Sequence, residues 1–263
     1  MLIDSVIDYD PPEQKHTLVK QNVLDCGISA GNFKTTLTQV VGLASRKQSS
    51  YVCFANVHML YEANHDNTFK SVLNKADIVC PDGKPVSVLM RALSKTEQER
   101  VCGMDFMPAS LAEAEKLGLK VFFYGSTVEV LQSIESKIKA DLPSLAIAGM
   151  YSPPFRPLSV EEDKKVIDMI NSSGAHLVYV SLGCPKQERW MNEHKGKVSA
   201  CMLGVGQAFN TFSGLEKRLP KPVRNLGLEW LYRLCIEPKR LFKRYFTSNT
   251  WFLWKCVKTA KFH

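Results

Sequence analysis

A chain of 263 residues, 45% hydrophobic and 23% charged, has an ordinary globular composition that can bury a core without staples, and no repeat or low-complexity tract interrupts it. The net charge of +8 is split. From Lys217 onward twelve Lys/Arg face only Glu229 and Glu237, whereas the preceding 216 residues hold 22 bases and 24 acids. A basic stretch of this kind attracts phosphates, whether of nucleic acid, of anionic lipid headgroups or of a diphosphate ligand.

The first residues, Met1-Leu2-Ile3-Asp4, lack the basic and apolar regions of a signal peptide, and the longest apolar runs reach about a dozen residues, short of a bilayer span. The chain is therefore expected to stay on the side of the membrane where it is made. The N-terminal 22 residues, with Pro11-Pro12, read as irregular; Val23–Ile28 reads as an edge strand and Asn32–Arg46 as a helix. Between residues 50 and 210, short buried-type runs alternate with amphipathic segments. The runs are Tyr51–Ala55, Asp77–Cys80, Lys120–Tyr124, Leu145–Ala148, His176–Ser181 and Ala200–Val205. The helical segments are Thr68–Ala76, Met107–Leu117, Val128–Ala140, Glu161–Asn171 and Pro185–His194, with Ser126-Thr127 and Ser159 as N-cap candidates. This alternation predicts an α/β fold: a Rossmann-like parallel sheet flanked by helices. After Gly214 the strands stop. Two helices, about 222–236 and 239–259, flank Pro238, so a catalytic domain over 1–214 and a helical appendage over 215–263 are expected.

Eight cysteines are spread without any C-x-x-C pair, which argues against a structural zinc and for buried free thiols in a reducing compartment. No metal and no cofactor is expected.

In a doubly wound sheet, ligands sit beyond the carboxyl ends of the strands. The residues just past each run are Asn56 and His58; Pro81-Asp82-Gly83; Gly125-Ser126-Thr127; Gly183-Cys184-Pro185-Lys186-Gln187-Glu188; and Gly204, Gly206 and Gln207. Gly125-Ser126-Thr127 reads equally as a phosphate cradle at a helix N-terminus and as a tight turn, since neither standard nucleotide fingerprint is present. Asp82 reads as a turn residue or as a general base at a strand end. Glu188, opening a helix, also simply complements the helix dipole. No G-x-S-x-G elbow supports a hydrolase. In the tail, Arg233, Arg240, Lys243 and Arg244 alternate with aromatics, of which Trp251, Phe252 and Trp254 are expected to face outward. The mixture suits a membrane surface, helices packed on the body, or nucleic acid, in that order of preference.

Taken together and in order, Asn56-Val57-His58-Met59-Leu60, Ala76–Gly83, Glu99–Asp105, Phe122–Gly125, Gly183–Trp190, Gly227–Leu234, Glu237–Arg240 and Arg244-Tyr245 make the chain resemble the WecG/TagA/CpsF glycosyltransferases from about residue 50 to 246. The resemblance implies an inverting, metal-independent transfer from a UDP-sugar donor to a sugar on undecaprenyl diphosphate, in cell-surface polysaccharide synthesis. It implies a cytoplasmic protein held peripherally on the inner face of the membrane by its appendage, on anionic lipid and without nucleic acid; a homo-oligomer is compatible with it. Asp82 matches the general base. Asn56, Arg100, Asp105, Gly125, Gln187 and Gly206 fall at substrate-binding positions, as do Arg233, Arg240 and Lys243 of the appendage, the last being commonly Arg. One departure stands two residues before Asn56, where Phe54 replaces a Thr of the teichoic-acid members. That ring is expected to reshape a sugar pocket, which leaves N-acetylmannosamine, its uronic acid, glucose or another hexose open as donor. Rival readings are an oxidoreductase, for which Val23–Ala30 has a single Gly where G-x-G-x-x-G is wanted, and a non-enzymatic adaptor working through the tail, which leaves the strand-end residues unused.

Overall fold

The computed structural model describes residues 18–94, 98–219, 223–224 and 229–260, less a few side chains, among them those of Arg233 and Arg240. Six of its strands, β3 (Ser50–Ala55), β4 (Ile78–Pro81), β5 (Val121–Gly125), β6 (Ile147–Tyr151), β7 (Leu177–Ser181) and β8 (Cys201–Gly204), fall on the six apolar runs. They form one sheet in the order β4-β3-β8-β7-β5-β6, and every pairing is parallel. The α/β class read from the alternation is the class observed.

Helices cover both faces. In chain order they are α1 (Phe33–Ser45), α2 (Val57–His65), α3 (Asn67–Lys75), α4 (Lys84–Ser94), α5 (Gly103–Lys116), α6 (Val128–Asp141), α7 (Val160–Ser173), α8 (Lys186–His194), α9 (Ala208–Phe212), α10 (Glu229–Ile236) and α11 (Pro238–Ala260). Strand side chains alternate between two cores. Phe54, Cys80, Phe123, Tyr179 and Leu203 pack with α1, α5, α6 and α9, while Tyr51, Val79, Tyr124, Val180 and Met202 pack with α2, α3, α7 and α8. Burial on both faces explains why the strands read as unbroken apolar runs. Each such large side chain contributes about 1.5–3 kcal/mol through removal from water.

Local chemistry fixes the helix starts. Asn32, Asn56 and Thr127 cap α1, α2 and α6 through side-chain oxygens, and Ser159 with Glu162 forms a capping box on α7.

Four expectations are revised. Val23–Ile28 is not one strand, because Leu24 and Asp25 both take positive φ (50° and 67°) and reverse the chain into a separate hairpin, β1 (Lys20–Val23) with β2 (Cys26–Ser29). Helices α2 and α4 appear where no helix was read. Helix α5 begins at Gly103, four residues early, and carries Pro108 inside it. A helical proline has no N–H for the carbonyl four residues back, here Met104, and Arg218 Nη1 donates to that oxygen instead at 3.2 Å. In the tail, Pro238 is the first residue of α11, where a missing N–H costs nothing. Trp251 does not face outward but meets the rings of Tyr61 and His65 on α2 at 5.7 and 6.0 Å, and Phe252 is 6% exposed. On α11 the outward aromatics are Phe242, Phe246 and Trp254, exposed by 62%, 65% and 52%.

Candidate active site

A parallel sheet carries all its carboxyl ends on one edge, so the residues read off the strand ends gather there. The register pairs Ala55 with Pro81, and Asp82 N–H donates to Ala55 O at 2.9 Å, which sets Asp82 beside Asn56. Val101 N–H donates to Pro81 O at 3.0 Å and brings Arg100 to the same edge. That segment is pinned from behind: the buried Gln98 side chain bonds both backbone groups of Gly31, and Glu99 accepts from Phe33 N–H at 2.8 Å. The first turn of α5 lies over the ends of β3 and β8. A Cβ on Gly103 would meet Val205 O at 3.5 Å and the Phe54 ring at 3.6 Å, ordinary contact distances that show how closely this turn seats on the strand ends.

Asp105, in that first turn, is shared by three guanidiniums. Arg100 Nη2 lies 3.0 Å from Oδ2, and Arg218 Nη1 and Arg224 Nη1 lie 2.8 and 2.9 Å from Oδ1. Burial alone would raise the Asp105 pKa, but the hydrogen bond from Arg218 and the charges of Arg218, Arg100 and Arg224 hold it below the usual carboxylate range. Arg218 and Arg224 were not singled out from the sequence; they sit in the stretch whose only signal there was its net charge.

Gln187 is 4% exposed and its amide is occupied by the protein. Nε2 donates to Gly204 O and to Glu188 Oε1, each at 2.8 Å, and Oε1 accepts from Gly183 N–H at 3.3 Å. It therefore braces the β7–α8 loop against β8. Gly206, at φ 49°, sits so near that an added Cβ would meet Gln187 Oε1 at 3.3 Å. Beside it the fully buried Glu188 has its pKa raised to about 7 by desolvation, against the opposing hydrogen bonds of Gln187 and of its own backbone and Cys184. Its Oε2 finds no partner among the described residues.

Gly125, at φ 112°, is dictated by close approach, since an added Cβ would stand 2.3 Å from Ser181 O. Ser126 follows in the left-handed region at φ 62°, and Ser152 Oγ donates to its carbonyl at 2.7 Å. The strand–turn–helix is thus a tight turn with a capped helix behind it, and backbone held in such a conformation tends to occur where function requires it.

His58 follows the Asn56 cap and has its pKa depressed to about 4 by burial and by the charge of Arg244 on α11, so it is neutral at pH 7. Lys243, the expected appendage contact, is exposed on α11, and it is the neighbouring Arg244 whose charge reaches His58 and Cys184. The Arg233 and Arg240 side chains lie outside the described residues. Phe54, expected to line a sugar pocket, is 4% exposed and packs against Phe106 at 5.3 Å beneath Gly103, so it belongs to the core under α5. Among the described residues, no group of His, Cys, Asp and Glu is arranged to hold a metal ion. Five of the eight free cysteines are buried, and Cys235 is exposed.

Comparison with known proteins joins this geometry to a family. The model of the glycosyl transferase WecG/TagA/CpsF family matches residues 21–263. An N-acetylglucosaminyldiphosphoundecaprenol N-acetyl-beta-D-mannosaminyltransferase of Bacillus spizizenii is 32% identical over 196 residues, 74% of either chain. The enzyme of the same description from Bacillus subtilis is 31% identical over 196 residues, 74% of this chain and 75% of its own.

Proposed function

The chain belongs to the WecG/TagA/CpsF family of glycosyl transferases, and from that premise we propose that it moves an N-acetylhexosamine from a UDP-sugar to a sugar carried on undecaprenyl diphosphate, inverting the anomeric centre. The observation that carries this reading is the placement of Asp82 at the end of β4, beside Asn56 and next to the backbone that bears Arg100, on the edge where the strand ends converge. N-acetylmannosamine, the sugar named in the two Bacillus relatives, is the leading donor. Phe54 does not weigh against it, because its ring lies in the core and not in a pocket wall.

In the proposed reaction Asp82 accepts the proton of the acceptor hydroxyl as that oxygen forms its bond to the anomeric carbon. The bond from that carbon to the diphosphate breaks on the opposite face, and UDP leaves with the electron pair. Fixed guanidiniums stabilise the charge that develops there, so the step asks for no metal. The appendage from residue 215 onward would hold the protein on the inner face of the membrane. Two features favour this: the tail's charge, and a stripe of Phe242, Phe246, Leu253 and Val257 along α11, each more than half exposed. Among the described residues no helix is long and apolar enough to cross a membrane.

The direct test is transfer from a panel of UDP-N-acetylhexosamines and UDP-hexoses to a short-chain lipid-diphosphate N-acetylglucosamine. Asp82→Asn should lower kcat by about 10²–10⁴ while leaving UDP binding intact. Near-normal turnover by that variant would remove Asp82 as the base, and absence of transfer from every donor would remove the reaction.

A further inference from the structure

Two arginines of the segment leading into the appendage, Arg218 and Arg224, reach back to the first turn of α5 and share the Asp105 carboxylate with Arg100. One carboxylate thus orients three guanidiniums, and nearby Glu216 and Lys217 border a small cavity with Arg218. The side chains of Arg100, Arg218 and Arg224 are only 22%, 19% and 17% exposed, so each guanidinium is held in a largely enclosed setting.

The three arginines are not equivalent. Arg218 is committed to the protein: besides Asp105 it takes the Met104 carbonyl that Pro108 leaves open, and its second nitrogen points at Cys102 Sγ, 3.9 Å away. Arg224 spends one terminal nitrogen on Asp105 and has no second protein acceptor among the described residues. Its Nε, like that of Arg218, is buried without a hydrogen-bond partner among those residues. The cluster sits at the N-terminus of α5, where backbone N–H groups and the helix dipole also favour an anion. A guanidinium fork that is held at one tine and oriented beside such a terminus matches the bidentate geometry of a phosphate.

We propose that Arg224 is a ligand for the diphosphate of the nucleotide donor, and that Asp105 and Arg218 are positioning residues that fasten Arg224 and Arg100 on the first turn of α5. The proposal rests on the nucleotide-sugar reading above and gives Asp105 a role as a charged clasp with no direct contact to the sugar. It also makes the donor site depend on residues beyond 214 through a contact distinct from Arg233, Arg240 and Lys243.

The test is calorimetric binding of UDP, UMP and uridine to the full chain. Arg224→Gln should weaken UDP by about tenfold or more, the loss attached to a hydrogen bond with a charged group, while uridine binding stays unchanged. Asp105→Asn should act in the same direction and Asp105→Glu should recover most of the loss. Arg224→Lys keeps the charge, loses the fork and gives a milder comparison in which UDP binding still falls. UDP binding indifferent to both Arg224 variants overturns the proposal. Equal losses for UDP and uridine overturn it too, since a damaged crevice would then explain them. If the parent protein binds UDP in an Arg224-dependent way yet transfers no sugar, the phosphate receptor stands and the transferase reading falls.

Discussion

Glu188 offers a prediction whose sign and size both follow from where it lies. Its carboxyl is fully buried and leaves Oε2 without a partner among the described residues. Desolvation outweighs the hydrogen bonds from Gln187 at 2.8 Å, from its own backbone and from Cys184, which favour the charged form. The folded pKa is raised from 4.5 to about 7 by that desolvation. A group whose folded pKa lies above its unfolded one stabilises the fold fully below the unfolded value and loses that contribution as pH rises through the folded value, here between about 4.5 and about 7. At about 1.4 kcal/mol per pH unit the interval amounts to about 3 kcal/mol. Glu188→Gln replaces the carboxyl by a neutral amide that still accepts from Gln187, so it removes this pH-dependent loss. The variant should match the parent within about 1 kcal/mol at pH 5 and exceed its stability by up to about 3 kcal/mol at pH 8. Urea unfolding of both proteins at pH 5, 6, 7 and 8 measures it. Carboxylates such as Asp66, Glu162 and Asp105, whose pKa values are lowered, titrate in both proteins and cancel in the difference. A difference between the two proteins that stays constant across that range would show that Glu188 keeps its charge in the fold, and the burial reasoning would be wrong.

Gly125→Ala should cost at least about 2 kcal/mol and lower the thermal midpoint by several degrees, because the added methyl meets Ser181 O and φ is 112°; an unchanged midpoint would mean that the turn relaxes freely. Under the proposed mechanism, in which arginines meet the diphosphate charge, transfer should persist in excess EDTA; loss of activity restored by magnesium or manganese would contradict this. Replacing Phe242, Phe246 and Trp254 by Ser should reduce co-sedimentation with anionic vesicles while a water-soluble acceptor is still turned over, since these side chains are exposed on α11 and away from its packed face. Truncation after Gly214 should abolish both, because Arg218 and Arg224 go with it; full activity in the truncated protein would reduce the tail to an anchor.

The sequence alone determined the sheet and its helices. A strand buried on both faces must be apolar throughout, and six such runs separated by amphipathic segments leave little other than a parallel α/β layer. It also set Asn56 and Asp82 just past strand ends, where a parallel sheet presents its ligand edge, whereas Arg100 was reached only through the family resemblance. What it could not contain was any decision taken between residues far apart in the chain. Asp25 suits a turn but Leu24 does not favour the left-handed region it adopts, so the local pattern reads as one strand and only the packed conformation splits it into a hairpin. Phe54 looked like a pocket residue until α5 was laid over it. Gln187 read as a substrate contact, whereas folding spends its amide on Gly183, Gly204 and Glu188. Nor does a basic tail reveal which of its arginines returns to the body. Arg218 and Arg224 find Asp105 across more than a hundred residues of chain, because Pro108 opens a carbonyl beside it and the half-buried carboxylate draws cationic partners. Local pattern fixes periodicity and strand ends, while long-range hydrogen bonds and ion pairs are settled only when the packed layers bring their donors and acceptors together.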